Sequence, residues 1–274
     1  MQQLKRYQGP VNAVVLDWAG TTVDHGCMAP AATFMEAFAR AGVPITIGEA
    51  RADMGKPKRA HVKAILDMRR VSAAWLEVRG KSPGEREVEE IYRSLLQLQV
   101  EVAERYSEVI PGVVETVLAL RARGLAVAST TGYPRAVMEV LVPAAKRQGY
   151  EPDVVICADD TPEGRPGPFM ALEALVRLSI SPVESVVKVG DTAVDIAEGL
   201  NGGMWSVGVA VTGNEVGLSA SEYAALAPRE QEAARSVAAG KLKAAGAHYV
   251  VSRLDEVMAV LDDIEKRLAA GEKP

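Results

Sequence analysis

The chain has 274 residues, 48% of them apolar and 24% charged, which suits a soluble globular protein of one large or two moderate domains. Its net charge of −5 at pH 7 argues against a nucleic-acid-binding surface, which would be basic. The two cysteines, Cys27 and Cys157, make no disulfide framework and read as small packing residues. Residues Met1–Gly9 are polar without an apolar signal stretch, and no apolar run reaches membrane-spanning length, so a cytoplasmic protein with no membrane partner is expected.

The first predicted strand, Val14-Val15-Leu16, ends in Asp17-Trp18-Ala19-Gly20-Thr21-Thr22-Val23-Asp24. An apolar, β-branched run reads as a buried strand. A carboxylate at its C-terminal edge stands where open α/β sheets bind ligands. There it can serve as a nucleophile, as an oxygen ligand for Mg²⁺, or simply as a cap for the next helix.

From about residue 26 to 105 the pattern is all-helical. Pro30–Ala41 is a helix stopped by Gly42, and His61–Met68 and Ser72–Arg79 are helical. Glu85–Tyr106 is a long helix with Val88, Ile91, Leu95, Leu98 and Val102 on one stripe, which packs within the block or against a partner. A helical block inserted after the first strand predicts a cap domain (26–105) over a catalytic core (1–25 and 106–274).

Pro111-Gly112 marks the return to the core. Strand-like and helical runs then alternate, which predicts βαβ units and a parallel sheet. Leu125–Ala128 ends in Ser129-Thr130-Thr131-Gly132-Tyr133, and Pro134 opens the next helix. Val154–Ala158 ends in Asp159-Asp160-Thr161, and Gly164-Arg165-Pro166 forms a constrained loop. Ser185–Val189 ends in Gly190-Asp191-Thr192, followed by a helix, Val194–Leu200, closed by Asn201-Gly202-Gly203. Trp205–Val209 and Tyr249–Val251 are strands, Ala220–Ala245 is helical, and Leu254–Ala269 is amphipathic with Leu254, Val257, Met258, Leu261 and Ile264 on one face. Several strands thus end in Asp or Thr. Carboxylates sharing one edge repel unless a cation sits among them.

Asp17 with its Gly-Thr-Thr-Val-Asp tail, Thr131-Gly132, and Gly190-Asp191-Thr192 with Asp195 resemble the haloacid dehalogenase superfamily. Met54-Gly55-Lys56-Pro57-Lys58-Arg59-Ala60-His61, Ser129–Tyr133, Gly164-Arg165-Pro166 and Asn201-Gly202-Gly203-Met204-Trp205 are similar to its phosphonatase branch, over about Val11 to Val251. The resemblance implies an α/β fold: a Rossmann-like parallel-sheet core of haloacid dehalogenase type with an inserted all-helical cap domain. It implies hydrolysis of the P–C bond of 2-phosphonoacetaldehyde, Mg²⁺ as cofactor, and a homodimer, expected through the cap helices. Asp17 would be the nucleophile. Asp17, Asp191 and the Ala19 carbonyl would hold the metal, with Asp195 on a metal-bound water. Thr131, the Gly132 N–H and Arg165 would grip the phosphonate, and Met54 and Tyr133 would line the substrate site.

Position 19 carries a further message. Most phosphatases of the superfamily have a second Asp there, as general acid for the leaving oxygen; this chain has Ala19. That disfavours the alternatives, a phosphate-ester phosphatase or phosphomutase. A carbon leaving group needs an electron sink, and a protonated imine on a lysine provides one. The resemblance assigns that lysine to Lys58. Lys56, Arg59 and Lys63 are expected to lower its pKa by repulsion. His61, one helical turn on, is expected to shuttle protons.

Overall fold

Six strands form the centre of the molecule: β1 (Ala13–Leu16), β2 (Ala126–Thr130), β3 (Val154–Ile156), β4 (Val186–Gly190), β5 (Trp205–Val209) and β6 (Tyr249–Val251). They make one parallel sheet in the order β3-β2-β1-β4-β5-β6. The computed structural model describes residues 6–274, so the first five residues of the polar N-terminal stretch lie outside it.

The unbroken apolar character of β1 follows from its position. Val14 and Leu16 face one core, with Val117 and Leu120 of α6 (Val113–Ala122), Leu141 of α7 (Arg135–Arg147), and Leu261 and Ile264 of α12 (Val257–Ala269). Ala13 and Val15 face another, with Met170 and Ala174 of α8 (Phe169–Leu178). A strand covered on both sides has no polar face to show. Truncating a fully buried side chain such as Leu16 to Ala costs about 2–5 kcal/mol.

The chain winds outward from β1 to β3, crosses back to β4, and continues to β6. The reversal lies between β1 and β4, where open sheets form a crevice at their C-terminal edge. Asp17 N donates to Val189 O at 3.0 Å, fastening the end of β1 to β4. The remaining core helices are α9 (Ala193–Asn201), α10 (Ala220–Ala225) and α11 (Pro228–Ala244).

Helices α1 (Met28–Arg40), α2 (Ile47–Arg51), α3 (Lys58–Asp67), α4 (Arg69–Arg79) and α5 (Glu85–Val102) lie between β1 and α6 and share their own apolar core. Phe34, Phe38, Ile65, Trp75, Ile91 and Leu95 build it. Val88 and Leu98 of the predicted stripe join them, while Val102 is only partly buried at the end of α5.

Some boundaries differ from expectation. The long helix stops at Val102 and a 3-10 turn covers Glu104–Tyr106. The short α2, with its Thr46–Glu49 capping box, has too few turns to show a periodicity. The third helix begins at Lys58 rather than His61, because Pro57 precedes it and its first turn is basic rather than apolar. The Ala-rich stretch splits at Pro228, which opens a new helix. Among the described residues no helix is long and apolar enough to cross a membrane.

Candidate active site

β1 and β4 deliver Asp17 and Asp191 to the crevice, and α9 brings Asp195 beside them. One oxygen from each carboxylate lies within 4.8 Å of the others. All three residues are buried. The turn after Asp17 is wound tightly: Trp18 O accepts from the backbone N–H groups of Thr21, Thr22 and Val23, and Thr22 Oγ1 donates to Asp17 O at 2.9 Å. Asp191 accepts from Asn214 N at 2.7 Å and Thr21 Oγ1 at 3.2 Å. Asp195 forms a capping box with Thr192 at the start of α9.

Burial, with Asp17 and Asp195 close by, pushes the Asp191 carboxyl well above its usual range. Burial also raises Asp17, against the pull of Arg165. For Asp195 burial is outweighed by Arg165 and Lys188, and its carboxyl is held low. Asp195 Oδ1 pairs with Arg165 and Lys188 at 2.8 and 3.1 Å yet accepts no aligned hydrogen bond. Crowded hard oxygens of this kind, one carboxyl strongly raised for want of a counter-charge, fit a divalent cation.

Arg165 is 3% exposed. Its Nε donates to Glu198 Oε2 at 2.9 Å and its Nη2 to Thr130 O and Oγ1, both at 2.8 Å. Nη1 is thereby aimed at Asp17 Oδ1, 2.6 Å away. Lys188, in the middle of β4, lies 3.1 Å from Asp195, Glu198 and the Thr130 hydroxyl. Sequence reasoning missed Lys188 and Glu198. Their one signal is a charged residue inside an otherwise apolar strand and another one helical turn after Asp195.

The cleft has two walls. The cap supplies Met54, Gly55 and Lys58; the core supplies Asp17, Ala19, Thr131, Gly132, Tyr133, Arg165 and Asp191. The cleft between them, partly open to solvent, has ≈ 20 Å³ of room, about that of one water, so the cap lies against the core. Gly132 permits this: a Cβ there would lie 2.9 Å from the carbonyl oxygens of Gly55 and Lys56. Gly55 has φ +89, and a Cβ on it would lie 2.5 Å from Thr192 Oγ1.

Lys58 is 5% exposed. Burial lowers its pKa to about 8, with Arg165 adding to the effect and Cys27, Asp17 and Asp191 opposing it. The expected repulsion from its neighbours is not the cause. Lys56 pairs with Asp53, Arg59 with Glu85 and Glu89, and Lys63 with Asp67. His61 is fully buried with its ring centre 4.1 Å from that of Phe34, and it does not line the cleft. Burial, then Lys58 and Lys56, hold its pKa well below normal, so the imidazole is neutral.

A family model for haloacid dehalogenase-like hydrolases matches residues 11–203. The chain belongs to the haloacid dehalogenase-like hydrolases. It is 48% identical to the phosphonoacetaldehyde hydrolase of Nitratidesulfovibrio vulgaris, over 98% of this chain and 96% of that one. It is 47% identical to the phosphonoacetaldehyde hydrolase of Paraburkholderia phytofirmans, over 96% and 99%. The crystal structure of a phosphonoacetaldehyde hydrolase-like protein from Oleispira antarctica superposes with a TM-score of 0.98 at 40% identity, covering 100% of this chain and 99% of that one.

In this haloacid dehalogenase-like hydrolase Cys27 is more than a packing residue. Its backbone is left-handed, at φ 51, which turns the thiol back over the turn that follows Asp17. Sγ lies 2.9 Å from the Ala19 carbonyl and 3.3 Å from Asp191 Oδ2. Burial and the surrounding carboxylates push the thiol pKa well up, so it stays protonated. Cys157, the other thiol, is buried at the end of β3 away from the cleft.

Proposed function

We propose that this enzyme hydrolyses 2-phosphonoacetaldehyde to acetaldehyde and phosphate, through an imine on Lys58 and an aspartyl phosphate on Asp17. The carrying observation is a buried lysine with a pKa near 8 in the same cleft as a buried aspartate, where the acid used on ester oxygens is replaced by Ala19. The names of its full-length relatives support the substrate.

Neutral Lys58 Nζ adds to the aldehyde carbon to give a carbinolamine, whose hydroxyl takes up a proton from solvent and leaves as water, giving a protonated imine. Thr131, the Gly132 N–H and Arg165 bind the phosphonate and turn its phosphorus toward Asp17. An Asp17 oxygen attacks phosphorus as the P–C bond breaks, and the released electron pair passes through the new C=C bond to the imine nitrogen, leaving a neutral enamine. Protonation at carbon restores an imine, which water hydrolyses to acetaldehyde and free Lys58. A second water cleaves the acyl phosphate and regenerates Asp17. Asp17, Asp191 and the Ala19 carbonyl would hold a divalent cation, Mg²⁺ in this reading, with Asp195 behind them. Such an ion would neutralise the charge of carboxylate and phosphonate as they meet.

A homodimer belongs to the same reading; Leu76 and Val78 on α4 are about half exposed, at 49% and 54%, and sedimentation would test it. The decisive assay measures phosphate and acetaldehyde formed from 2-phosphonoacetaldehyde with Mg²⁺ present. Equimolar products are expected. Phosphate release from simple phosphate esters but not from the phosphonate would overturn the assignment.

A further inference from the structure

Arg51 ends α2, within the cap, and apart from one bond from Nη2 to Met28 Sδ of α1, at 3.5 Å, its side-chain hydrogen bonds reach beyond the cap helices. Nη1 donates to Gly26 O at 2.7 Å and to Asn214 Oδ1 at 3.1 Å, and Nη2 donates to Gly217 O at 3.1 Å. Gly26 lies on the linker that leads from the catalytic turn into α1. Asn214 and Gly217 lie on the core loop between β5 and α10. That loop and the linker also hold each other, since Gly26 N donates to Thr212 O at 2.7 Å. The loop reaches the catalytic carboxylates as well, because Asn214 N donates to Asp191 Oδ2 at 2.7 Å.

Among the described residues Arg51 has no carboxylate partner. Its planar fork is used instead to reach four neutral acceptors, the Met28 thioether in α1 and three on the linker and the core loop, a task that depends on geometry rather than on charge alone. A few residues on, the chain enters the cleft as Met54, Gly55 and Lys58. One guanidinium therefore ties the segment that carries Lys58 to the linker on which the cap must swing and to the loop that steadies Asp191.

We infer that Arg51 is a positioning residue that latches the cap in the closed arrangement bringing Lys58 and Asp17 into one cleft. The inference rests on the reading that these two residues act on the same substrate. The closed cleft has too little room for that substrate, so the cap must open and reclose in each turnover. A latch favours reclosure of the cap over bound substrate, and apparent affinity rises with the fraction of the complex that has closed.

The test compares the full-length enzyme with Arg51→Met, which keeps an unbranched stem, and Arg51→Lys, which keeps the charge without the fork. Steady-state kinetics on 2-phosphonoacetaldehyde with Mg²⁺ are paired with amide hydrogen exchange of the substrate-free proteins. Arg51→Met should raise KM by about ten- to a hundredfold with kcat within about threefold. Arg51→Lys should recover part of the loss. Exchange should quicken at 24–28, 52–58 and 213–218 while β1, β4 and α5 exchange as in the parent. Parent-like KM, parent-like exchange in those three segments, or quickening spread evenly over the chain would each overturn the latch. Should the parent enzyme itself fail to turn over this substrate, the functional reading falls, and the exchange pattern alone still decides whether Arg51 holds the cap shut.

Discussion

Lys58 of the cap places its side-chain nitrogen 4.6 Å from the centre of the Tyr133 ring in the core. The ring face attracts a cation and is apolar otherwise. It therefore suits both forms that the mechanism requires, the desolvated amine before attack and the iminium after it. The contact joins cap to core, and in the proposed mechanism it would hold the electron sink where Asp17 can use it.

Replacing Lys58 tests the sink directly. Lys58→Arg keeps a cation over Tyr133 but cannot form this imine, so P–C cleavage should fall by several orders of magnitude while the fold is kept. Borohydride with acetaldehyde should inactivate the parent irreversibly, and peptide mapping should find the adduct on Lys58 rather than Lys56 or Lys63. An Arg variant cleaving at close to the parent rate would remove Lys58 from the mechanism.

The pH dependence follows from the lowered pKa of Lys58, about 8 against 10.5 for a free side chain. The amine attacks only when neutral, and its neutral fraction rises as pH rises through about 8. The rate of borohydride trapping should thus climb roughly tenfold per unit below that midpoint and level off above it. A midpoint near 10.5 would show that Lys58 is solvated in the working enzyme.

Metal removal should act on both activity and stability. Excess chelator should abolish phosphate release, and Mg²⁺ should raise the melting temperature, by the equivalent of about 2.7 kcal/mol at a hundred times Kd. In the metal-free protein the Asp191 carboxyl is raised. The stabilisation tied to its protonated form is complete below its unfolded value of 3.8 and is lost as pH rises through its folded value. Asp191→Asn should therefore stabilise the metal-free protein at neutral pH and shrink the Mg²⁺-dependent shift. A melting temperature that ignores Mg²⁺ would refute the carboxylate cluster as a cation site.

Glu198 is the buried support of Arg165, by its 2.9 Å contact with Nε, and of Lys188, at 3.1 Å. Glu198→Gln keeps the volume but withdraws the negative charge from two buried cations. Breaking such a pair costs about 3–5 kcal/mol. A guanidinium displaced by about 1 Å from Asp17 and the phosphonate should lower kcat by about a hundredfold. Chemical denaturation and single-turnover kinetics would measure the two effects. Parent-like values in both would show that Thr130, Asp17 and Asp195 orient Arg165 without Glu198.

Much of the site is legible in the chain because strand-end chemistry is local. Asp17 stands directly after an apolar run, Thr131 and Asp191 stand at the ends of largely apolar runs that read as buried strands, and Asp195 follows Thr192 at capping-box spacing. Lys188 and Glu198 are not legible. A lysine in a strand and a glutamate in a helix look solvated until β4 is known to be central and α9 to pack over it. Cys27 is hidden for a similar reason, since only the left-handed turn before α1 brings its thiol over Ala19.

The sequence by itself determined the parallel sheet, the inserted helices and the carboxylates at the sheet edge, because strand ends, caps and periodicity depend on neighbours along the chain; Lys58 was singled out only by the family resemblance. Only the tertiary structure decided why the pKa of that lysine is lowered. Its pKa is lowered by what covers it, while the basic residues beside it in sequence are spent on ion pairs with Asp53, Glu85, Glu89 and Asp67. Desolvation is set by the surfaces that close over a side chain, and the surface that closes over Lys58 comes from Tyr133 and Phe34, one of them far away in the core.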